Sequence, residues 1–260
     1  MRMILPLESR AREGWVGIPF PVPALVTLTT LGDMSIGTAV RRDFVRGVTG
    51  GRSLCFVRQK HTRVVVDVDE ALRAGGRPAT QEHKGEPNPD AASTVEIDLG
   101  IGDGMVTLDG DVTLGITVAD CVPVLVHDVR TGAYGLLHSG WRGTGILEEA
   151  VSMMEARYGT KPQDLVVALG PAISGASYTV DYDRARRFAG RYGESCVFKQ
   201  KDTWHLDLHA ANESIASRLG VNCVNTVSHC TGATSLLGSY RRQGPDAFTR
   251  MLVLVGHCAT

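Results

Sequence analysis

The chain has 260 residues, 43% of them hydrophobic and 21% charged, with a net charge of −1. That balance suits one large soluble domain or two small ones, and it offers neither nucleic acid nor an anionic membrane a basic surface. No apolar run is long enough to span a bilayer, and Met1–Trp15 carries charges throughout where a signal peptide would have an apolar core.

Residues 1–30 read as an N-terminal arm or edge segment, with four prolines before residue 24 and a strand over Ala24–Thr30. Residues 31–260 read as one domain. Gly32–Gly51 is rich in glycine and arginine and has no clear pattern. Leu54–Val57 and Val64–Val68 are predicted strands flanking Arg58-Gln59-Lys60-His61, and Glu70–Asn88 is a polar loop. Strands follow over Val95–Leu99, Gly104–Thr107, Val112–Val118, Pro123–His127 and Ala133–Leu137. The spacing then predicts a helix over Ile146–Tyr158 ending at Gly159, a buried strand over Asp164–Leu169 and a helix over Asp183–Tyr192. Leu208–Leu219 is a helix between Asp207 and Gly220, and strands over Val221–Val227 and Met251–Val255 close the chain. Strand clusters broken by a few helices define an α+β fold of layered mixed β-sheets flanked by helices.

The six cysteines are scattered without a CxxC pair, as expected of reduced thiols in a cytoplasmic protein. Cys121 and His138 stand at the outer ends of two apolar runs joined by Asp128–Gly132. An antiparallel hairpin would bring them together, on one face only if paired positions sum to an odd number. With His61 they make three nitrogen and sulfur donors, enough for a catalytic metal with an open position. The alternative is a Cys121 nucleophile with His138 as base and Asp120 as orienting carboxylate. Arg142, where a strand gives way to a helix, suits phosphate or carboxylate, and Ser239-Tyr240-Arg241-Arg242 is a second cationic cluster. Trp141 reads as core, and His205 and His209 as structural. GxGxxG, GxxxxGK[ST] and GxSxG are all absent.

The run Ala119-Asp-Cys-Val-Pro123, His138-Ser-Gly-Trp-Arg-Gly143 and Gly170-Pro-Ala-Ile173 resembles the YfiH-type proteins, also called the laccase-domain, polyphenol oxidase or FAMIN-like family. Gln59-x-His61, Asp103-Gly-Met-Val-Thr107, Tyr178-Thr-Val180, Cys230-Thr231 and Ser239–Arg242 extend the likeness over roughly residues 30–255. The resemblance implies a single α+β domain and zinc on His61, Cys121 and His138. It also implies phosphorolysis of purine nucleosides (adenosine, inosine, guanosine, methylthioadenosine), with adenosine deamination as a second reaction. Small molecules, a purine nucleoside and phosphate, are then the partners of a monomer or small homo-oligomer. Asp120, Cys121, His138 and Arg142 would form the catalytic group, with Gln59, Arg142, Ser239 and Arg241 binding substrate. Three departures bear on substrate preference: no recognisable Asn-Leu-Gly segment near the N-terminus, Thr62 after His61 where glycine is usual, and Pro245–Arg250 in place of Thr-Gly-Arg.

Copper polyphenol oxidase chemistry is disfavoured, because clustered coppers need many imidazoles and this chain has eight histidines and no His-x-His pair. A cysteine-type hydrolase or amidase acting on cell-wall precursors is the second reading. A non-catalytic metal- or nucleoside-binding protein is the third.

Overall fold

The computed structural model describes residues 1–75, 77–78 and 96–258. Two seven-stranded mixed sheets stack face to face. The first runs, edge to edge, Arg2–Met3, Cys223–Val227, Leu165–Leu169, Val122–Asp128, Tyr134–Ser139, Gly104–Thr107 and Val65–Asp67. The second runs Trp15–Gly17, Ala24–Thr27, Met251–Gly256, Thr113–Val118, Leu54–Arg58, Glu96–Ile101 and Arg77–Pro78. A small third sheet, in the order Thr179–Val180, Thr203–Leu206, Val197–Gln200, lies beside them.

Alternation along the strands sorts the layers. Met251, Val253 and Val255 meet Leu125, Leu136, Met105 and Ala168 of the first sheet in a shared apolar interior. Their neighbours Leu252 and Leu254 face the opposite way, onto Val45 and Phe44 of the helix Ala39–Thr49. The far face of the first sheet carries Val124, Val126 and Val167 under the helices Ile146–Tyr158, Tyr182–Tyr192 and Leu208–Leu219. Burial on both faces is why these strands read as continuous apolar runs instead of alternating ones. The order is helices, sheet, sheet, helix.

The predicted helices Ile146–Tyr158 and Leu208–Leu219 have those boundaries, and the predicted strands lie within one to three residues of the observed ones. The N-terminal segment, read as an arm or edge segment, supplies edge strands: Arg2–Met3 and Trp15–Gly17 close one edge of each large sheet, with Leu5, Leu7, Val16 and Ile18 buried. Two other stretches differ from their reading. Gly32–Gly51 contains the helix Ala39–Thr49, started by the Thr38 side chain accepting from the Arg41 N–H and ended at left-handed Gly50. The start of the expected polar loop is a helix over Val68–Arg73, and most of the rest lies outside the described residues, as does Val95.

Candidate metal centre and cavity

Three chain crossings from the second sheet to the first converge at one end of the sandwich. Residues 59–64 carry the chain from Leu54–Arg58 to Val65–Asp67, Gly102 and Asp103 carry it from Glu96–Ile101 to Gly104–Thr107, and residues 119–121 from Thr113–Val118 to Val122–Asp128. Two of the crossings contain a non-glycine residue in the left-handed region, His61 at φ 58° and Asp120 at φ 88°. Such conformations are held by their surroundings and concentrate at functional sites.

Within the first sheet, Pro123 pairs with His138 and Val122 with Ser139. Paired positions therefore sum to an odd number, and Cys121 falls diagonally across from His138 on the same face. The His61 ring stands edge-on to that of His138, with centroids 4.9 Å apart. The donor atoms of His61, Cys121 and His138 all lie within 4.8 Å of one another. Tetrahedral zinc bonds would set them about 3.5 Å apart, a modest contraction. A side chain at Gly140 would put its Cβ 2.7 Å from Cys121 Sγ and 3.3 Å from the His61 ring, so only glycine leaves the three donors room to close. These residues can hold a metal ion.

Asp103, which the sequence argument used only as part of a motif, organises the group. It is fully buried. Its carboxylate accepts from the backbone N–H groups of Lys60 (3.1 Å), His61 (3.0 Å) and Thr62 (2.7 Å) and from the Thr62 hydroxyl (2.7 Å). Asp103 Oδ1 is 2.9 Å from His138 Nδ1, and the Asp103 carbonyl accepts the His138 N–H at 2.7 Å. With Nδ1 engaged, Nε2 is the ring nitrogen left for an ion, the usual carboxylate–histidine–metal arrangement. Burial pushes the Asp103 carboxyl up, but the bonds from His138 and Thr62 outweigh it and hold the group at about 2. Burial likewise opposes charge on Cys121 and His138. Their mutual attraction overcomes it, drawing the thiol below its ordinary range and the imidazole above its own.

The donors open into a cavity of about 610 Å³ that Gln59, Asp120 and Arg241 also line. The rest of the expected site falls elsewhere. Arg142 is exposed and stacked on Trp141, 5.2 Å from the ring centre, and does not line the cavity. Ser239 is buried and accepts from the Arg242 N–H, starting the short helix Tyr240–Gln243. Asp120 does not orient His138: its oxygens accept from Thr231 Oγ1 (2.5 Å) and the Arg241 N–H (2.7 Å), which ties that helix to the crossing. Gln59 spends its amide on Thr117, donating to the carbonyl and accepting from the N–H, each at 2.9 Å. His205 and His209 each bond a backbone carbonyl, Gly175 and Gly170 respectively, and are structural as expected. Trp141, read as core, packs on the interior and also lines the cavity.

Tyr178, Tyr240 and Phe248 join Trp141 as aromatic walls, and Arg184 and Arg250 join Arg241 as cations. Of these, Trp141, Tyr178, Tyr240 and Arg241 belonged to sequence motifs. Arg184 carried no signal, because it lies on a helix with three other arginines and nothing in its spacing separates it from them.

A layered sandwich whose crossings gather a His-Cys-His donor group is also what comparison with known proteins returns. Residues 29–257 match the profile of the family described as multi-copper polyphenol oxidoreductase laccase, and the chain belongs to that family. A Deinococcus radiodurans protein named purine nucleoside phosphorylase is 32% identical over 60% of this chain and 61% of its own length. A Corynebacterium glutamicum protein of the same name is 29% identical over 82% of this chain and 80% of its own. Among solved structures, a Neisseria meningitidis protein superposes with a TM-score of 0.74 at 26% identity, covering 94% of this chain and 98% of that one. YlmD from Geobacillus stearothermophilus gives 0.72 at 27%, covering 94% and 96%.

Proposed function

We propose that this chain is a zinc-dependent purine nucleoside phosphorylase, acting on adenosine, inosine, guanosine or methylthioadenosine, with adenosine deamination as a second reaction in the same cavity. One observation carries the reading: a single cavity joins a His-Cys-His donor group to aromatic walls and guanidinium groups. The names of the relatives support it. Phosphorolysis breaks the bond between base and ribose, joins a phosphate oxygen to the sugar and sends a proton out with the base. The site must therefore hold a planar ring, an anion and a polarising group at once.

The aromatic side chains of Trp141, Tyr178, Tyr240 and Phe248 give the cavity a lining suited to a purine. Arg241, fixed to the Thr179 carbonyl and hydroxyl, offers its charge to phosphate. Gln59 and Asp120 act through others, by bracing the crossing strand and by holding the Arg241 turn. Zinc on His61, Cys121 and His138 would supply Lewis acidity and a water acidified toward neutrality. Copper is less well supported, since among the described residues one His/Cys group has the spacing for an ion. Six unpaired cysteines, and no helix among the described residues long and apolar enough to cross a membrane, support a cytoplasmic setting.

A second reading keeps one specific observation in its favour. Cys121, His138 and Asp103 form a thiol–imidazole–carboxylate relay, with Asp103 in the place expected for Asp120. That is the equipment of a cysteine-type hydrolase or amidase.

Purine release from adenosine and inosine, with and without phosphate, separates these readings when native, Cys121→Ala and metal-stripped proteins are compared. Phosphate-dependent release lost in both controls is the expected result. Phosphate-independent inosine formation from adenosine shifts the weight to deamination. Absence of turnover in metal-replete protein overturns the nucleoside reading.

A further inference from the structure

The three guanidiniums on the cavity wall differ in how their charge is met. Arg250 lies 3.7 Å from the Asp33 carboxylate and donates to Ser35 Oγ at 3.0 Å. Arg241 is pinned by neutral groups: both terminal nitrogens donate to the Thr179 carbonyl at 3.0 Å, and one to the Thr179 hydroxyl at 2.7 Å. Its guanidinium carbon stands 5.2 Å from the centre of the Tyr178 ring. Arg184 lies 4.4 Å from the centre of the Trp141 ring, and its carboxylate neighbour among the described residues is the largely exposed Asp181, 3.7 Å away. Solvent screens that contact heavily.

Tyr178 links the two cations. Arg241 covers its ring, and Arg184 lines the same cavity close enough to act on the phenol electrostatically. Two guanidiniums without a firm carboxylate partner, a phenol near both and a metal-competent group in the same cavity suit an anion.

We propose that Arg184 and Arg241, beside Tyr178 on one cavity wall, form a two-pronged seat for inorganic phosphate. Two guanidiniums there suit an oxyanion; that it is the phosphate consumed in the reaction rests on the phosphorylase reading. Arg184 is the decisive member. Its backbone N–H, not its side chain, receives the cap from Asp181, so replacing the side chain leaves the helix start in place.

The test titrates inorganic phosphate calorimetrically into zinc-loaded wild-type, R184Q and R184K proteins and measures KM for phosphate and inosine. R184Q is expected to weaken phosphate binding and raise its KM by about tenfold or more, with KM for inosine moved less than about twofold. R184K recovers part of the loss, keeping the charge without the fork. Phosphorolysis with an unchanged KM for phosphate in R184Q overturns the seat and leaves the phosphorylase reading standing. Arg184-dependent phosphate binding without nucleoside turnover does the reverse. A lowered melting temperature with both KM values raised together overturns the seat in favour of a structural role for Arg184.

Discussion

Asp103 Oδ1 and His138 Nδ1 lie 2.9 Å apart, and the same carboxylate holds the backbone of the loop that presents His61. One side chain thus fixes two of the three metal donors. Asp103→Asn keeps the shape and removes the charge. It is expected to weaken metal affinity by about 10–100-fold, measured by competition with a chromogenic chelator.

The same carboxylate contributes to the acid sensitivity of the fold. Its pKa is held at about 2, below the ordinary 3.8 of the unfolded chain. A lowered folded-state value contributes stability that is full above the unfolded pKa and lost as pH falls through the folded one. The contribution is roughly 2 kcal/mol, disappearing between about pH 4 and pH 2. Denaturant melts of metal-free wild type should fall over that window, and those of Asp103→Asn should fall less steeply.

Gly140 is the second control on the centre. A methyl group there would meet Cys121 Sγ at 2.7 Å. Gly140→Ala is expected to lower metal content in protein that still melts cooperatively, checked by elemental analysis beside calorimetry.

Cys121 should be the reactive thiol of the metal-free protein. Its charged form is favoured by His138, whereas burial pushes Cys55 and Cys258 up to about 12. Iodoacetamide is expected to label Cys121 first, at a rate rising through a pH below the ordinary thiol range, and bound metal should block it. Peptide mapping against pH, with and without added zinc, tests both halves.

Leu125 provides the contrast. It is fully buried between the two sheets. Leu125→Ala should cost about 2–5 kcal/mol of stability while metal stoichiometry in the folded fraction stays at the wild-type value.

How much of this was legible in the sequence depended on the range of the interaction. Ile146–Tyr158 and Leu208–Leu219 were readable because helical spacing and terminal glycines are local. The helix Ala39–Thr49 had a cap at each end and Val40, Phe44 and Val48 four apart, but arginines between them masked the stripe. The donors were nameable as types. Which carboxylate serves His138 was not, because Asp120 is nearer to Cys121 in sequence and Asp103 reaches His138 only across paired strands. Arg142 looked well placed for an anion, yet its side chain turns out onto Trp141. Nothing local distinguishes that from the inward course of Arg184.

The three crossings also give the protein a way of certifying its own assembly. The first sheet alone brings Cys121 beside His138, and His61 joins them only when the crossing from Leu54–Arg58 is in place. A chain with that sheet alone offers an ion two ligands and holds it weakly. The completed molecule gathers all three, and the binding energy of an ion would then work against reopening. Metal retention would thus be a signature of correctly folded molecules, and a chelator should speed the unfolding of the native protein beyond its effect on catalysis.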